Sequence, residues 1–515
     1  MKIKTTNPEK IVKNITLITL VVMVVWGAIS VFAEVRPFWI DEWRIIYNLK
    51  TKSVEELWGK LAYMQQFPRT YLTGIKLFTE YFDYSYTSLR LPAYVVGLFT
   101  MVSIYLLCTA IFSANNLFRY LMVIMLVSSS TFTEYFVETK QYTMDLLMCT
   151  IAIWQLVWLL RLGKKQQIKP DLGYLLLCCS LIILPLFSYT YVIALLPVFA
   201  VLAIDNILSR KTNSSKQHGF VNLLLQWLPL FLVTFSITIF YIIDIKQLST
   251  DNEMKHYWGH LMMNNGFAIL EFAEHVFHLF AQAGAGLLFW SLFGVSCTAS
   301  FFYCIRKCYL NVKASTHTIQ DSAVLYSVLL ILLIMVLNLM GKLPIGEPRL
   351  NAFAIPAIAV MLVTMLTDIA KMKKYKKTAQ ITFFILFAGP VGNVYSTIAA
   401  CFTDSKYAQR MEIYHATQAA LNRANIEQMP IFITPGVAYP YENTVNFPFD
   451  NNVPGDWVLM TFPAYKMGHS GLVFAINDTT NTKDYVERIP ENTDSLMIGD
   501  GINYKFISRN NRNQE

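Results

Sequence analysis

KNITLITLVVMVVWGAISVFAEVRPFWIDEWRIIYNL, residues 13–49, decides how this chain is read. Between Lys13 and Glu34 there is no charged residue, a run of the length that crosses a hydrocarbon core. Lys2, Lys4, Lys10 and Lys13 precede it, which places the N-terminus inside. The run exceeds a signal-peptide core and Phe32-Ala33-Glu34-Val35-Arg36 is a poor cleavage site, so a retained anchor is expected. Composition extends the reading to the whole chain of 515 residues. Hydrophobic residues make up 55%, charged residues 15%, and mean hydropathy is +0.41. Soluble chains carry about 25% charged residues. The shortage excludes a disordered chain, a coiled coil and a basic nucleic-acid-binding protein, and implies a polytopic membrane protein.

Ten further apolar runs follow, roughly at 91–112, 117–134, 142–160, 173–187, 190–205, 221–243, 284–305, 323–340, 350–369 and 378–399. The runs at 173–187 and 190–205 are continuous except near Pro185 and Ser188-Tyr189-Thr190. One helix there would be too long for a bilayer, so a re-entry or tight hairpin is predicted. With eleven spans, the inside loops should hold the Lys and Arg clusters. They do so at Arg161/Lys164/Lys165/Lys169, at Arg210/Lys211/Lys216, at Arg306/Lys307/Lys313 and at Lys371/Lys373/Lys374/Lys376/Lys377. The loop around Arg119 is neutral on this test. The net charge of +8 belongs to those loops and requires no acidic partner. The eight cysteines lie in or beside apolar runs without framework spacing, so buried thiols are expected. Cys304 and Cys308 fall one helical turn apart, but two ligands do not fill a tetrahedral metal shell.

The expected organisation is a transmembrane domain over 1–401, with outer loops 34–90 and 244–283, and an extracytoplasmic domain over 402–515. That tail reads as a small α/β domain: a helix-like segment at 404–426, then strands from Pro430 to Thr434, at 456–462 and at 471–476.

Four segments carry candidate chemistry. The first is PFWIDEWRIIYNL, 37–49, where Asp41 and Glu42 stand between Trp39 and Trp43 at the membrane surface. A carboxylate there can take a proton or grip a sugar hydroxyl near a lipid-borne substrate; two ordinary loop acids are the competing reading. The second is SLRLPAYVVGL, 88–98, with Arg90 at the outer edge and Pro92 compatible with a first helical turn. A snorkelling arginine explains it equally well. The third is TFTEYFVETKQYTMDLL, 131–147, with Glu134, Glu138, Lys140 and Asp145. Asp145 falls inside an apolar run, which marks either a functional acid or a structural charge paired with Lys140 or Arg90. The fourth is GKLPIGEPRLNAFAIPAIAV, 341–360, where Glu347 and Arg349 lie in a loop broken by Pro and Gly. An arginine at a helix entrance can clamp phosphate, and broken backbone at membrane depth suits a cavity wall.

Together these segments resemble the GT-C-type glycosyltransferases of the protein O-mannosyltransferase and lipid A aminoarabinose transferase group. The resemblance rests on the Asp41-Glu42 pair just after the first span and on Ser88-Leu89-Arg90-Leu91-Pro92 at the second. Glu138 to Asp145, with Tyr142, is similar to that group's Arg-x-Tyr entry to the fourth span, with Lys140 in place of the arginine. Pro344 to Pro356 resembles its late arginine-bearing span. The resemblance covers the membrane part only. It implies a GT-C-like, all-α membrane domain that moves a sugar from a polyprenyl-phosphate donor on the outer face, usually with inversion. Asp41 would be the general base or would bind the acceptor hydroxyl, with Glu42 orienting the substrate or Asp41. Arg349, with Arg90 or Lys140, would hold the donor phosphate. Glu138 and Asp145 complete the substrate-binding candidates. Because a protein cation can serve the phosphate, no obligatory metal and no other cofactor are expected. The partners are donor lipid and membrane lipid, not nucleic acid, and the implied location is a bacterial inner membrane.

Other signals are weaker. His256, His260, Glu271, Glu274, His275 and His278 have partial zinc-ligand spacing, but an amphipathic helix on the membrane explains them. Asn477-Asp478-Thr479 has only the form of a glycosylation sequon. Gly284-Ala285-Gly286 lacks the setting of a phosphate loop. A transporter or lipid flippase is the rival reading; it calls for repeats and midplane charges, neither of which is evident. A structural subunit would leave Asp41, Glu42, Asp145 and Arg349 without a role.

Overall fold

The computed structural model describes residues 8–33, 40–62, 65–82, 84–114, 116–163, 171–212, 220–242, 261, 269–284, 286–314, 318–403, 431–433, 473–475, 495–499 and 503–507. The helices, in chain order, are α1 (Pro8–Phe32), α2 (Ile40–Thr51), α3 (Val54–Leu57), α4 (Arg69–Tyr81), α5 (Tyr86–Ile111), α6 (Arg119–Val127), α7 (Ser130–Tyr135) and α8 (Tyr142–Gly163). Next come α9 (Leu172–Ile183), α10 (Tyr189–Thr212), α11 (Phe220–Phe240), α12 (Ile269–Ala281), α13 (Gly286–Ala314), α14 (Ile319–Leu339), α15 (Pro348–Asn351), α16 (Ile355–Lys371) and α17 (Lys376–Thr403).

Among the described residues, each of the eleven apolar runs is mostly helix. Among the described residues, seven helical stretches suffice by length and composition to cross a membrane: α1, α5, α8, α13, α14, Pro348–Lys371 and α17. The chain is therefore an integral membrane protein. Leu172–Phe187, Tyr189–Asp205 and Trp227–Phe240 are shorter apolar helices. The predicted break at Pro185 is a 3-10 turn, Leu184–Phe187, between α9 and α10. The run 117–134 is not one helix. It ends α6 at Val127 and restarts at Ser130, because the Ser129 hydroxyl accepts from the Phe132 N–H and caps α7. Asn393 on α17 donates to the Ser128 carbonyl at 3.1 Å, satisfying the break from a neighbouring helix.

The packed centre is formed by α5, α6, α8, α10 and α16. Every residue of α6 is buried, and α16 packs against α6, α13, α14 and α17. α1 lies against α5 at Gly27, where an added Cβ would stand 2.4 Å from the Tyr94 ring and 2.6 Å from Phe136. Tyr86 and Thr87, at the start of α5, donate their hydroxyls to the Ser30 and Val31 carbonyls at the end of α1. Those carbonyls lack an intrahelical partner.

These contacts fix which helix ends share a side. One end of the bundle gathers Glu9 with Arg119 (3.8 Å), Arg161 with the Ala110 carbonyl (3.0 Å), and Asp368 with Lys307 and Lys371 (2.6 and 2.7 Å). The starts of α5, α8 and α15 lie at the other end.

In the tail, four strands are described: β1 (Ile431–Ile433), β2 (Val473–Ala475), β3 (Ser495–Gly499) and β4 (Asn503–Ile507). They form one sheet in the order β2-β1-β3-β4, with β1 parallel to β2 and β3, and β4 antiparallel to β3. β1 and β2 lie within the expected strands, whereas the hairpin β3–β4 was not anticipated. The helix-like segment 404–426 and the run 456–462 lie outside the described residues.

Candidate active site

The amphipathic helix α2 carries Asp41 and Glu42 in its first turn, where acidic side chains suit the helix dipole. At successive positions on a helix the two carboxylates point about 100° apart, and they have different surroundings. Asp41 Oδ2 accepts from Arg349 Nη1 at 3.3 Å, across 308 residues of sequence. Its Oδ1 lies 3.5 Å from Arg44 Nη1. Arg349 Nε is in turn 3.0 Å from Glu347 Oε1. The Asp41 and Arg349 side chains retain 18% and 15% exposure, so a ligand can reach both. Trp39 lies outside the described residues.

Glu42 is fully buried and faces Arg90, which is also fully buried. Arg90 Nη2 and Nε donate to Oε2 and Oε1 at 2.8 and 3.2 Å, a two-pronged charge-assisted pair. The Thr139 backbone N–H adds a third bond to Oε1 at 3.0 Å, and its hydroxyl donates to the Leu89 carbonyl. Arg90 also donates to the Tyr86 hydroxyl and lies over the Tyr86 ring, 4.5 Å from its centre. The expectation that Arg90 meets a phosphate at the membrane edge does not match this placement, since its charge is matched inside the fold. The local cause lies in the sequence. Ser85 and Ser88 form a capping box that starts α5 at Tyr86, five residues earlier than expected. Arg90 is thereby drawn into the second helical turn and one turn above Tyr86, and Pro92 falls inside the helix rather than in its first turn.

The link between α7 and α8 brings Lys140 and Glu138 to the same place, both buried. Lys140 Nζ donates to Gln65 Oε1 at 2.9 Å. Burial holds its ammonium below the ordinary lysine pKa, and the positive charges of Arg349 and Arg44 act in the same direction. Asp41 and Glu138 oppose the shift. Asp145 stands one turn further down α8. Its Oδ1 accepts from the Ser188 hydroxyl at 2.5 Å, so its partner is neither Lys140 nor Arg90. It lies beneath the charged group rather than within it.

The loop carrying Arg349 is clamped by Asn351. This fully buried amide faces the carbonyls of Pro344, Ile345 and Glu347 at 2.7, 3.1 and 3.0 Å. Pro348 opens the short helix α15 at its first position, which the missing N–H permits.

Of the residues singled out in the sequence, Asp41, Lys140, Glu138 and Arg349 therefore converge, with the Glu42–Arg90 pair behind them. Sequence reading missed Arg44, Gln65 and Thr139. Arg44 was legible as the i+3 neighbour of Asp41 on a helix. Gln65 and Thr139 carried no signal, because a glutamine in a loop and a backbone N–H have no pattern. Among the described residues no three His, Cys, Asp or Glu side chains are grouped to hold a metal ion. His256 and His260 lie outside them, while His278 and Glu274 approach to 3.6 Å on α12.

No known family matches the sequence, and no curated protein matches it. Among solved structures, the chain is similar to ArnT from Cupriavidus metallidurans bound to undecaprenyl phosphate, at 11% identity over 86% of each chain and a TM-score of 0.45. It is also similar to the archaeal oligosaccharyltransferase AglB from Archaeoglobus fulgidus in complex with an inhibitory peptide and a dolichol-phosphate. There the identity is 11% over 81% of this chain and 62% of that one, with a TM-score of 0.42.

Proposed function

We propose that the protein is a membrane glycosyltransferase that moves a sugar from a polyprenyl-phosphate donor to an acceptor hydroxyl, with inversion at the sugar carbon. The supporting observation is the meeting of Asp41 with Arg349 beside Lys140, a partly exposed carboxylate next to cations drawn from separate segments. That combination suits a reaction in which a proton is taken at one point and a phosphate leaves at another. The acceptor oxygen attacks the anomeric carbon, and its proton passes to Asp41. The bond from that carbon to the phosphate oxygen breaks on the opposite face. Polyprenyl phosphate departs with the electron pair, its charge balanced by Arg349 and Lys140. Glu42 and Arg90 hold α2 against α5 and so fix where Asp41 stands. Glu138 shapes the polar wall beside Lys140, and Asp145, bonded to Ser188, supports it from beneath. No step calls for a metal ion.

The chain is read as crossing a bacterial inner membrane eleven times, with the N-terminus inside. The site and an α/β tail domain over 402–515 then lie outside. The acceptor is a hydroxyl of a lipid, glycan or protein.

The test is transfer from polyprenyl-phosphate sugars by the purified full chain. Asp41→Asn is expected to lower the rate about 10²–10⁴-fold, the usual contribution of a general base. Because the substitution removes the anionic neighbour of Arg349, donor binding should be kept. Arg349→Ala is expected to weaken donor binding. Full transfer by Asp41→Asn would remove the assignment of the base, and failure of the wild type to consume any lipid-linked sugar would remove the enzyme.

A further inference from the structure

Among the described residues, Arg44, Arg349 and Lys140 stand around Asp41, and their partners differ in kind. Arg44 and Arg349 each lie within ion-pair distance of a carboxylate: Arg44 of Asp41, and Arg349 of both Asp41 and Glu347. Lys140 instead donates its hydrogen bond to the side-chain amide of Gln65, a neutral acceptor 75 residues earlier. A carboxylate at that position would cancel the ammonium charge. An apolar side chain would release the ammonium toward Asp41, which already attracts it. A neutral amide fixes the direction of the nitrogen and leaves its field for an incoming anion. The adjacent backbone has a fixed place. Gln141 Nε2 donates to the Gln66 carbonyl at 3.3 Å, and the Tyr189 hydroxyl donates to the Phe67 carbonyl at 2.8 Å. Residues 65–67 are thus pinned to the starts of α8 and α10, and Gln65 extends from an anchored segment.

We propose that Gln65 is a positioning residue that keeps the Lys140 ammonium aimed at the donor phosphate and uncompensated by any carboxylate of its own. This rests on the glycosyltransferase reading above. Gln65 acts through Lys140 and touches neither the sugar nor the phosphate.

The experiment is binding of undecaprenyl phosphate to the full-length protein in lipid nanodiscs, measured from neutral to alkaline pH. Gln65→Leu should weaken binding about tenfold, the worth of one charge-assisted contact. In a Lys140→Met background the same substitution should do nothing further, because its effect passes through the lysine. Gln65→Glu keeps the shape and adds a charge. The new carboxylate stabilises the ammonium, so the pH at which binding is lost through Lys140 deprotonation should move upward. The groups facing that ammonium are Asp41 and Arg44 on α2, Arg349 on α15 and Glu138 on its own loop. None of them is altered in these variants. Wild-type binding with unchanged affinity in Gln65→Leu, with losses that add in the double variant, or with an unmoved alkaline limb in Gln65→Glu overturns the positioning role alone. Absence of binding by the wild type itself overturns the reading on which the role depends.

Discussion

Asp41 and Glu42 are neighbours with opposite fates, and the difference is one of environment. Glu42 and Arg90 have no exposure, and the carboxylate accepts two hydrogen bonds from Arg90 and one from the Thr139 N–H. Removing one partner of such a pair strands the other charge in a dry setting, at a cost of about 3–5 kcal/mol. We therefore expect Glu42→Gln to lower the thermal unfolding temperature sharply. Replacing both residues, Glu42→Leu with Arg90→Met, should recover most of that loss. A double variant no more stable than the single would show that the pair is not what destabilises Glu42→Gln. Lys140 has the opposite character, since its burial disfavours the ammonium. Its folded pKa lies below the unfolded value, so the unfolded chain binds the proton more readily. The penalty is full below the folded pKa and is relieved as pH rises toward the unfolded one. Lys140→Met is accordingly predicted to raise the unfolding temperature at neutral pH while weakening undecaprenyl phosphate binding. A variant both less stable and unimpaired in binding would contradict this.

At the scale of elements, the site depends on how short pieces are fastened to long ones. α15 has four residues and cannot hold its own course. The Asn351 amide, gripping three carbonyls of the preceding loop, does that for it. Asn351→Ala should weaken donor binding by about as much as Arg349→Ala, and the two losses should not add, because both displace the same guanidinium. Additive losses would place Asn351 outside that chain of action. The contact between α1 and α5 relies on Gly27, where even one methyl meets two aromatic rings. Close helix approach through small residues is a general device of membrane bundles. Gly27→Leu should destabilise the protein and reduce transfer, since α1 packs on α5, whose Arg90 holds Glu42 of α2. A fully active, equally stable variant would show that α1 yields without consequence.

For the whole molecule, the sequence disclosed more of the layout than of the pairing. Uninterrupted apolar runs located helix at each expected span, because lipid exposure imposes one composition on all of them. It did not reveal that Ser128 and Ser129 divide the third run, since two hydroxyls barely change its hydropathy. The charged residues of the site were visible as exceptions in an apolar chain. Their partners were not, because Asp41 meets Arg349 and Lys140 meets Gln65 through folding rather than through spacing. The proposal that the site lies outside rests on the basic loops, and a reporter fused after residue 402 tests it. An extracytoplasmic signal is expected; a cytoplasmic one would overturn the eleven-span topology.

The link between Asp41 and Arg349 also has a consequence in time. Glu42, Arg90 and Thr139 all lie within the first third of the chain, so their cluster can close early during synthesis. Asp41 must wait for a residue 308 positions later. At about 5–20 residues per second that is on the order of fifteen to sixty seconds. On the proposed roles, the nascent protein would spend that interval in the bilayer with its base already made and its phosphate-binding arginine not yet synthesised. The proposed site would thus be completed late in assembly, and a chain that stalls before Arg349 would lack it.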